Sequence, residues 1–338
     1  MSDFRRRPVP RCEFAVTQHR YPGSRRRYPL WPVLAACTAL AWLLTGHSTP
    51  GSAWAATPQG PCAAPAYPEP PKVAAHAGPC RETRTLSFGG VQVEAIIDRP
   101  ANDAADALLL FHGTVGNDRA ILPAARETLE RFSALLDRED LLLVSVAYPE
   151  EGLLMGDNVA HAEAALLWVR HEAREALGVS IGRIFLAGHS QGGYIATRLG
   201  TLHAVDGIVA NAPGPLDLRY RCALEEEGRL KRSVACGNLA AAFGSTRENP
   251  EAYEARSLLA YTDGHRADLL FVQGLDDAPV HLRSWPIFRA RMEACTDCRN
   301  RRFLELPGQQ HAALFASPEA RAAFQALLQP PSTQLPGR

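Results

Sequence analysis

The run Gly188-His189-Ser190-Gln191-Gly192 lies between an apolar segment that reads as a strand, Arg183 to Ala187, and a helical segment, Gln191 to Leu202. A serine hydroxyl is a poor nucleophile at its own pKa. It gains reactivity when a sharp turn exposes it to a base on one side and an incoming carbonyl on the other. Side chains two positions either side would strike the neighbouring strand and helix, so glycines at 188 and 192 are what a strand–serine–helix bend requires. Gly193 extends the clearance. The backbone N–H of Gln191, at the start of the helix, would then point at a developing oxyanion, where hydrogen bonding and the helix dipole act together.

The sequence around this turn alternates between strand and helix signals. Arg84 to Phe88 and Val91 to Asp98 flank Gly89-Gly90, a hairpin signal. Strands are then expected at Ala107–Phe111, Leu141–Val146, Arg183–Ala187, Gly207–Asn211, Leu269–Gln273 and Arg302–Leu306. Helices are expected over 122–136, 159–177, 191–202, 280–294 and 318–328. This beat implies an α/β domain over 84–330 with a mostly parallel central sheet and helices on both faces. Residues 213–262 interrupt it with polar, helix-prone sequence and read as an insertion over the sheet; the acidic triplet Glu225-Glu226-Glu227 within it reads as a solvated helix face.

The partners of Ser190 follow from topology, since ligands of open α/β sheets sit at the carboxyl edge of the strands. His311 follows the last strand through Pro307-Gly308-Gln309-Gln310 and is the expected base. His161 and His171 fall inside a helix, His203 ends one, and His265 precedes a strand. The orienting acid is expected after the preceding strand, in Gly274-Leu275-Asp276-Asp277, with Asp277 preferred, Asp276 the alternative and Asp217 a remote one. A second oxyanion donor is expected from the loop after the third strand, where Phe111-His112-Gly113-Thr114 offers the N–H of Thr114; His112 reads as a structural histidine of that loop.

On the Gly188–Gly193 turn and the Leu275-Asp276-Asp277 loop, the chain resembles the α/β-hydrolase superfamily from about residue 84 to 328. The turn and the acid loop are similar to those of its prolyl oligopeptidase and dienelactone hydrolase branches. It departs from them in lacking an N-terminal propeller and in carrying serine where many dienelactone hydrolases carry cysteine. The resemblance implies an eight-stranded order, a cap at 213–262, and a serine hydrolase.

The N-terminal 55 residues read as an export signal: Ser24-Arg25-Arg26-Arg27, an apolar stretch from Leu30 to Leu44, and Ala53-Trp54-Ala55. The arginines loosely resemble a twin-arginine signal, and Leu34-Ala35-Ala36-Cys37 a lipoprotein box; an uncleaved membrane anchor is the alternative, although Pro32 interrupts the stretch. Residues 56–83 form a Pro- and Ala-rich leader and 331–338 a tail. Cleavage near Ala55 leaves an even set of cysteines, and the shortest loops pair Cys62 with Cys80, Cys222 with Cys236 and Cys295 with Cys298.

With 36 basic and 36 acidic residues the chain has no net charge to drive nucleic-acid binding. Its 46% apolar content excludes a disordered chain. No phosphate-binding GxxxxGK[ST] loop and no metal constellation stands out, and no cofactor is expected. The expected function is an exported carboxylesterase acting through Ser190, His311 and Asp277, with Thr114 and Gln191 as oxyanion donors and a small ester or acyl compound as partner. A peptidase of the prolyl oligopeptidase type and a non-catalytic binding protein of the same fold are the alternatives. The sequence leaves the oligomeric state open.

Overall fold

A computed structural model of the chain describes residues 80–329. Its strands are β1 (Cys80–Phe88), β2 (Val91–Arg99), β3 (Ala104–Phe111), β4 (Leu141–Ala147), β5 (Ser180–His189), β6 (Gly207–Asn211), β7 (Asp268–Gly274) and β8 (Arg301–Leu306). They form one sheet in the order β1-β2-β4-β3-β5-β6-β7-β8. β2 pairs antiparallel with both β1 and β4, and every other pairing is parallel. This is the mostly parallel α/β-hydrolase sheet, and it accounts for the unbroken apolar runs: central strands such as β4 and β6 are buried on both faces.

Alternate residues of one strand feed different cores. From β3, Ala107, Leu109 and Phe111 enter one apolar cluster, while Leu108 and Leu110 enter the other. The first is closed by α2 (Val159–His171), α4 (Gln191–Leu202) and α8 (Pro279–Ala294); the second by α1 (Ile121–Ser133), α9 (Ala313–Ala316) and α10 (Pro318–Leu328). No described helix is long and apolar enough to cross a membrane.

The segment 213–262 contains α5 (Leu218–Glu226), α6 (Val234–Phe243) and α7 (Pro250–Glu254), followed by a 3-10 turn at Leu258–Ala260. Disulfides join Cys222 to Cys236, from α5 to α6, and Cys295 to Cys298. Cys80 forms no disulfide with another described residue, and Cys62 lies outside the described residues, as do the signal and most of the leader.

Three expectations need correction. β1 begins at Cys80, inside the expected leader, because its outer half pairs with β2 as far as Arg99 and Arg81 clamps Asp98 at 2.6 Å and 2.7 Å. The helix expected over 159–177 is two, α2 and α3 (Ala173–Leu177), divided at Glu172. The acidic triplet is a solvated face only in part: Glu226 and Glu227 are exposed, but Glu225 is not. Glu225 is 3% exposed and accepts from Arg221, from the Ser233 N–H and from the Ser233 hydroxyl. Glu226 accepts from the N–H and hydroxyl of Thr246. Burial of a carboxylate is tolerated where each oxygen is paired in this way.

Candidate active site

Ser190 occupies the one-residue step between β5 and α4 at φ 56° and ψ −119°, a conformation that costs a non-glycine residue about 1–3 kcal/mol. Hydrogen bonds hold it there: its N–H donates to Asn211 O at 2.9 Å, and its carbonyl accepts from Tyr194 N and Gly214 N, both at 3.1 Å. The flanking glycines are sterically required. A Cβ on Gly192 would lie 1.9 Å from Phe111 O, and one on Gly188 would lie 2.2 Å from the Gly192 carbonyl.

His311 enters from the loop after β8. That loop crosses directly over Gly274, where a Cβ would fall 2.2 Å from Gln310 O. Its Nδ1 lies 2.7 Å from Asp277 Oδ2. Asp277 is 8% exposed; its Oδ2 also accepts from Gln273 Nε2 at 3.0 Å, and its Oδ1 from Ala278 N at 2.6 Å. Burial opposes ionisation of this carboxyl, but the hydrogen bonds from His311 and Gln273 prevail and hold its pKa at about 2. The group is therefore an anion beside the imidazole. Asp276 is exposed, with its N–H on Gln309 O, and Asp217 caps α5 by accepting from Tyr220 N.

No hydrogen bond joins the Ser190 hydroxyl to His311 among the described residues. Both are tied to one buried residue instead. Asn211, at the carboxyl end of β6, accepts the Ser190 N–H on its backbone carbonyl and donates from Nδ2 to His311 O at 3.2 Å. On the other side of the serine, Gly113 lies close enough that a Cβ there would be 3.5 Å from Ser190 Cβ. Thr114 Oγ1 donates to Gln191 Oε1 at 2.5 Å, bringing the two expected oxyanion residues together. Neither Thr114 N nor Gln191 N has a hydrogen-bond partner among the described residues.

The other histidines separate by environment. His112 is buried, bonds its own loop through Gly113 O and stacks on Tyr148 with ring centroids 4.0 Å apart; burial lowers its pKa to about 4, as befits a structural residue. His161 lies in α2, His171 stacks on Phe88, His203 bonds Glu163 and His265 bonds Tyr261 O. His189 accepts from Asn211 Nδ2, and burial together with the His311 and Arg131 charges lowers it to about 4.

Sequence reasoning missed Asn211, Gln273 and His281. The first two carried a readable signal: each is a lone amide that follows an apolar run near the carboxyl end of its strand, the edge where the site lies. The ring of His281 lies 4.9 Å from that of His311. Asp277, His281 and His311 present ligand-type atoms within 4.8 Å of one another, a grouping the sequence gave no sign of, although both Asp277 oxygens already accept hydrogen bonds. A cavity of about 850 Å³ opens beside Ser190, Gln191 and Thr114. Its walls come from the loop after β4, including Glu150, Leu153 and Met155, and from the cap, including Leu218, Arg221 and Ala241.

No family model matches the sequence, and no curated protein matches it. Solved structures do. A carboxylesterase cloned from a metagenomic library, EstE1, is 26% identical with a TM-score of 0.52, covering 74% of this chain and 90% of its own. Est1E from Butyrivibrio proteoclasticus is 15% identical with a TM-score of 0.50, covering 72% and 96%. The acylaminoacyl peptidase of Pyrococcus horikoshii is 14% identical with a TM-score of 0.52, covering 73% of this chain and 41% of its own. Taken with the strand order and the strand–serine–helix turn, these likenesses establish that the chain is an α/β-hydrolase by fold.

Proposed function

We propose that this protein is an exported serine hydrolase that cleaves carboxylic esters through a covalent acyl-enzyme. The observation that carries the reading is Ser190, held at φ 56° in the lining of a cavity, at the sheet edge that also bears the Asp277–His311 pair. The ionised Asp277 accepts Nδ1–H of His311, which leaves Nε2 as the acceptor for the serine proton. Ser190 Oγ attacks the ester carbonyl while His311 takes its proton. The oxyanion receives the free N–H groups of Thr114 and Gln191, each such donor contributing about 3 kcal/mol to the barrier reduction. His311 then protonates the departing alkoxide, and water repeats the sequence to release the acid. The mechanism uses no cofactor.

Likeness to a carboxylesterase at 26% identity supports the ester class. Export is supported by the basic-then-apolar N-terminus and by two disulfides, which persist in oxidising compartments. A peptidase would use the same serine on a poorer leaving group. Hydrolysis of short p-nitrophenyl esters and of matched p-nitroanilides, by wild type and Ser190→Ala, separates the readings. Ester turnover that disappears in the variant is expected. Exclusive anilide turnover would replace the esterase reading, and undiminished turnover by Ser190→Ala would refute both.

A further inference from the structure

Arg221 lines the same cavity as Ser190, projecting from α5 of the cap. Its surroundings fix its orientation. Glu225, one helical turn on and buried, accepts Arg221 Nε at 3.0 Å with one oxygen, and with the other it accepts Ser233 N and Oγ at 2.7 Å and 3.0 Å. The Cys222–Cys236 disulfide joins the two helices beside this knot. The guanidinium is therefore held by its Nε edge, and its two Nη groups make no hydrogen bond among the described residues. Those Nη groups form a planar two-donor fork, the geometry that receives a carboxylate in bidentate fashion. Arg221 lies near enough to His281 for its charge to help disfavour protonation of that ring, and His281, which packs on His311, also lines the cavity. The acidic lining residues Glu150 and Glu151 belong to another wall, the loop after β4, where Glu150 is tied to Val115 N at 3.1 Å.

Resting on the esterase reading above, we infer that Arg221 forms an anion subsite and that the protein selects esters carrying a carboxylate remote from the scissile bond. The positioned fork and the buried Glu225 that holds it, in the cavity that Ser190 also lines, supply the recognition. A carboxylate would receive charge-assisted hydrogen bonds from the Nη groups that an uncharged ester cannot accept in the same way.

Two matched substrate pairs test this: the monomethyl ester of adipic acid against its terminal primary amide, and the acetate ester of 6-hydroxyhexanoic acid against that of 6-hydroxyhexanamide. The readout is the carboxylate-to-amide ratio of kcat/KM, which does not depend on the fraction of active enzyme. The ratio is expected to exceed one for at least one pair and to fall about tenfold or more in Arg221→Gln, whose amide can still donate to Glu225. A wild-type ratio at or below one in both pairs overturns the inference without any variant. A smaller fall in Arg221→Gln does so as well. Absence of turnover on all four esters would instead count against the esterase reading itself.

Discussion

Asn211 donates its side-chain amide to the backbone carbonyl of His311 at 3.2 Å, across 100 residues of sequence, while its own carbonyl holds the Ser190 N–H. It is fully buried, and its Oδ1 also accepts Leu314 N at 3.0 Å. One residue, through its backbone on one side and its side chain on the other, thus links the serine turn to the histidine loop. Asn211→Leu keeps the branched shape but removes the partner of the Leu314 N–H, of the His311 carbonyl and of His189 Nδ1, at about 1–3 kcal/mol for each buried group left unpaired. Denaturant unfolding should report a loss in that range, and kcat should fall with little change in KM. A fully active Asn211→Leu protein would remove this residue from the account.

The histidine loop depends on a missing side chain as well. Because a Cβ at position 274 would fall 2.2 Å from Gln310 O and 2.4 Å from Gln309 O, Gly274→Ala must push the loop off the end of β7. Overpacking of this kind costs about 1–3 kcal/mol. The expected signature is a kcat loss much larger than the accompanying fall in Tm warrants, since His311 moves while Asp277, on its own hydrogen bonds to Gln273 and Ala278, stays. Unchanged kinetics would contradict the placement of the loop.

Asp277 makes a pH prediction. Its carboxyl is held at about 2, below the ordinary value of 3.8, so its contribution to stability is present above the unfolded-state value and is lost as pH falls through the folded one. Wild type should therefore exceed Asp277→Asn in Tm by a margin that is constant near neutrality and shrinks as pH drops from about 4 toward 2. A margin that does not change with pH would show that the carboxylate is not stabilised as described. The same variant leaves His311 with the wrong tautomer, and a kcat loss of about 10⁴-fold is expected.

How much of this was legible in the sequence depended on how local the determinants are. The serine turn and α4 are dictated by glycines that must lie within two residues of Ser190, so the helix boundaries 191–202 and the strand before it could be read directly. Strand ends were less legible: β5 runs from Ser180, three residues ahead of the expected Arg183, because its outer part is held by pairing with β3 rather than by its own apolar pattern. The choice of Asp277 over Asp276 rested on spacing, and the structure sets Asp277 inward and Asp276 toward solvent. Glu225 was misread because its partners, Arg221 and Ser233, lie on two cap segments whose packing no periodicity encodes. His281 was invisible for a related reason. Its proximity to His311 arises only when α8 and the loop after β8 meet at the sheet edge.

The central claim is that Ser190 is the nucleophile activated by His311, and covalent trapping tests it most directly. Wild-type protein treated with a fluorophosphonate and analysed by intact-mass and peptide mass spectrometry should gain one adduct, located on the peptide at Ser190. The adduct should be absent in Ser190→Ala and form far more slowly in His311→Ala. An adduct on another residue, or equally fast labelling of Ser190 in His311→Ala, would contradict it.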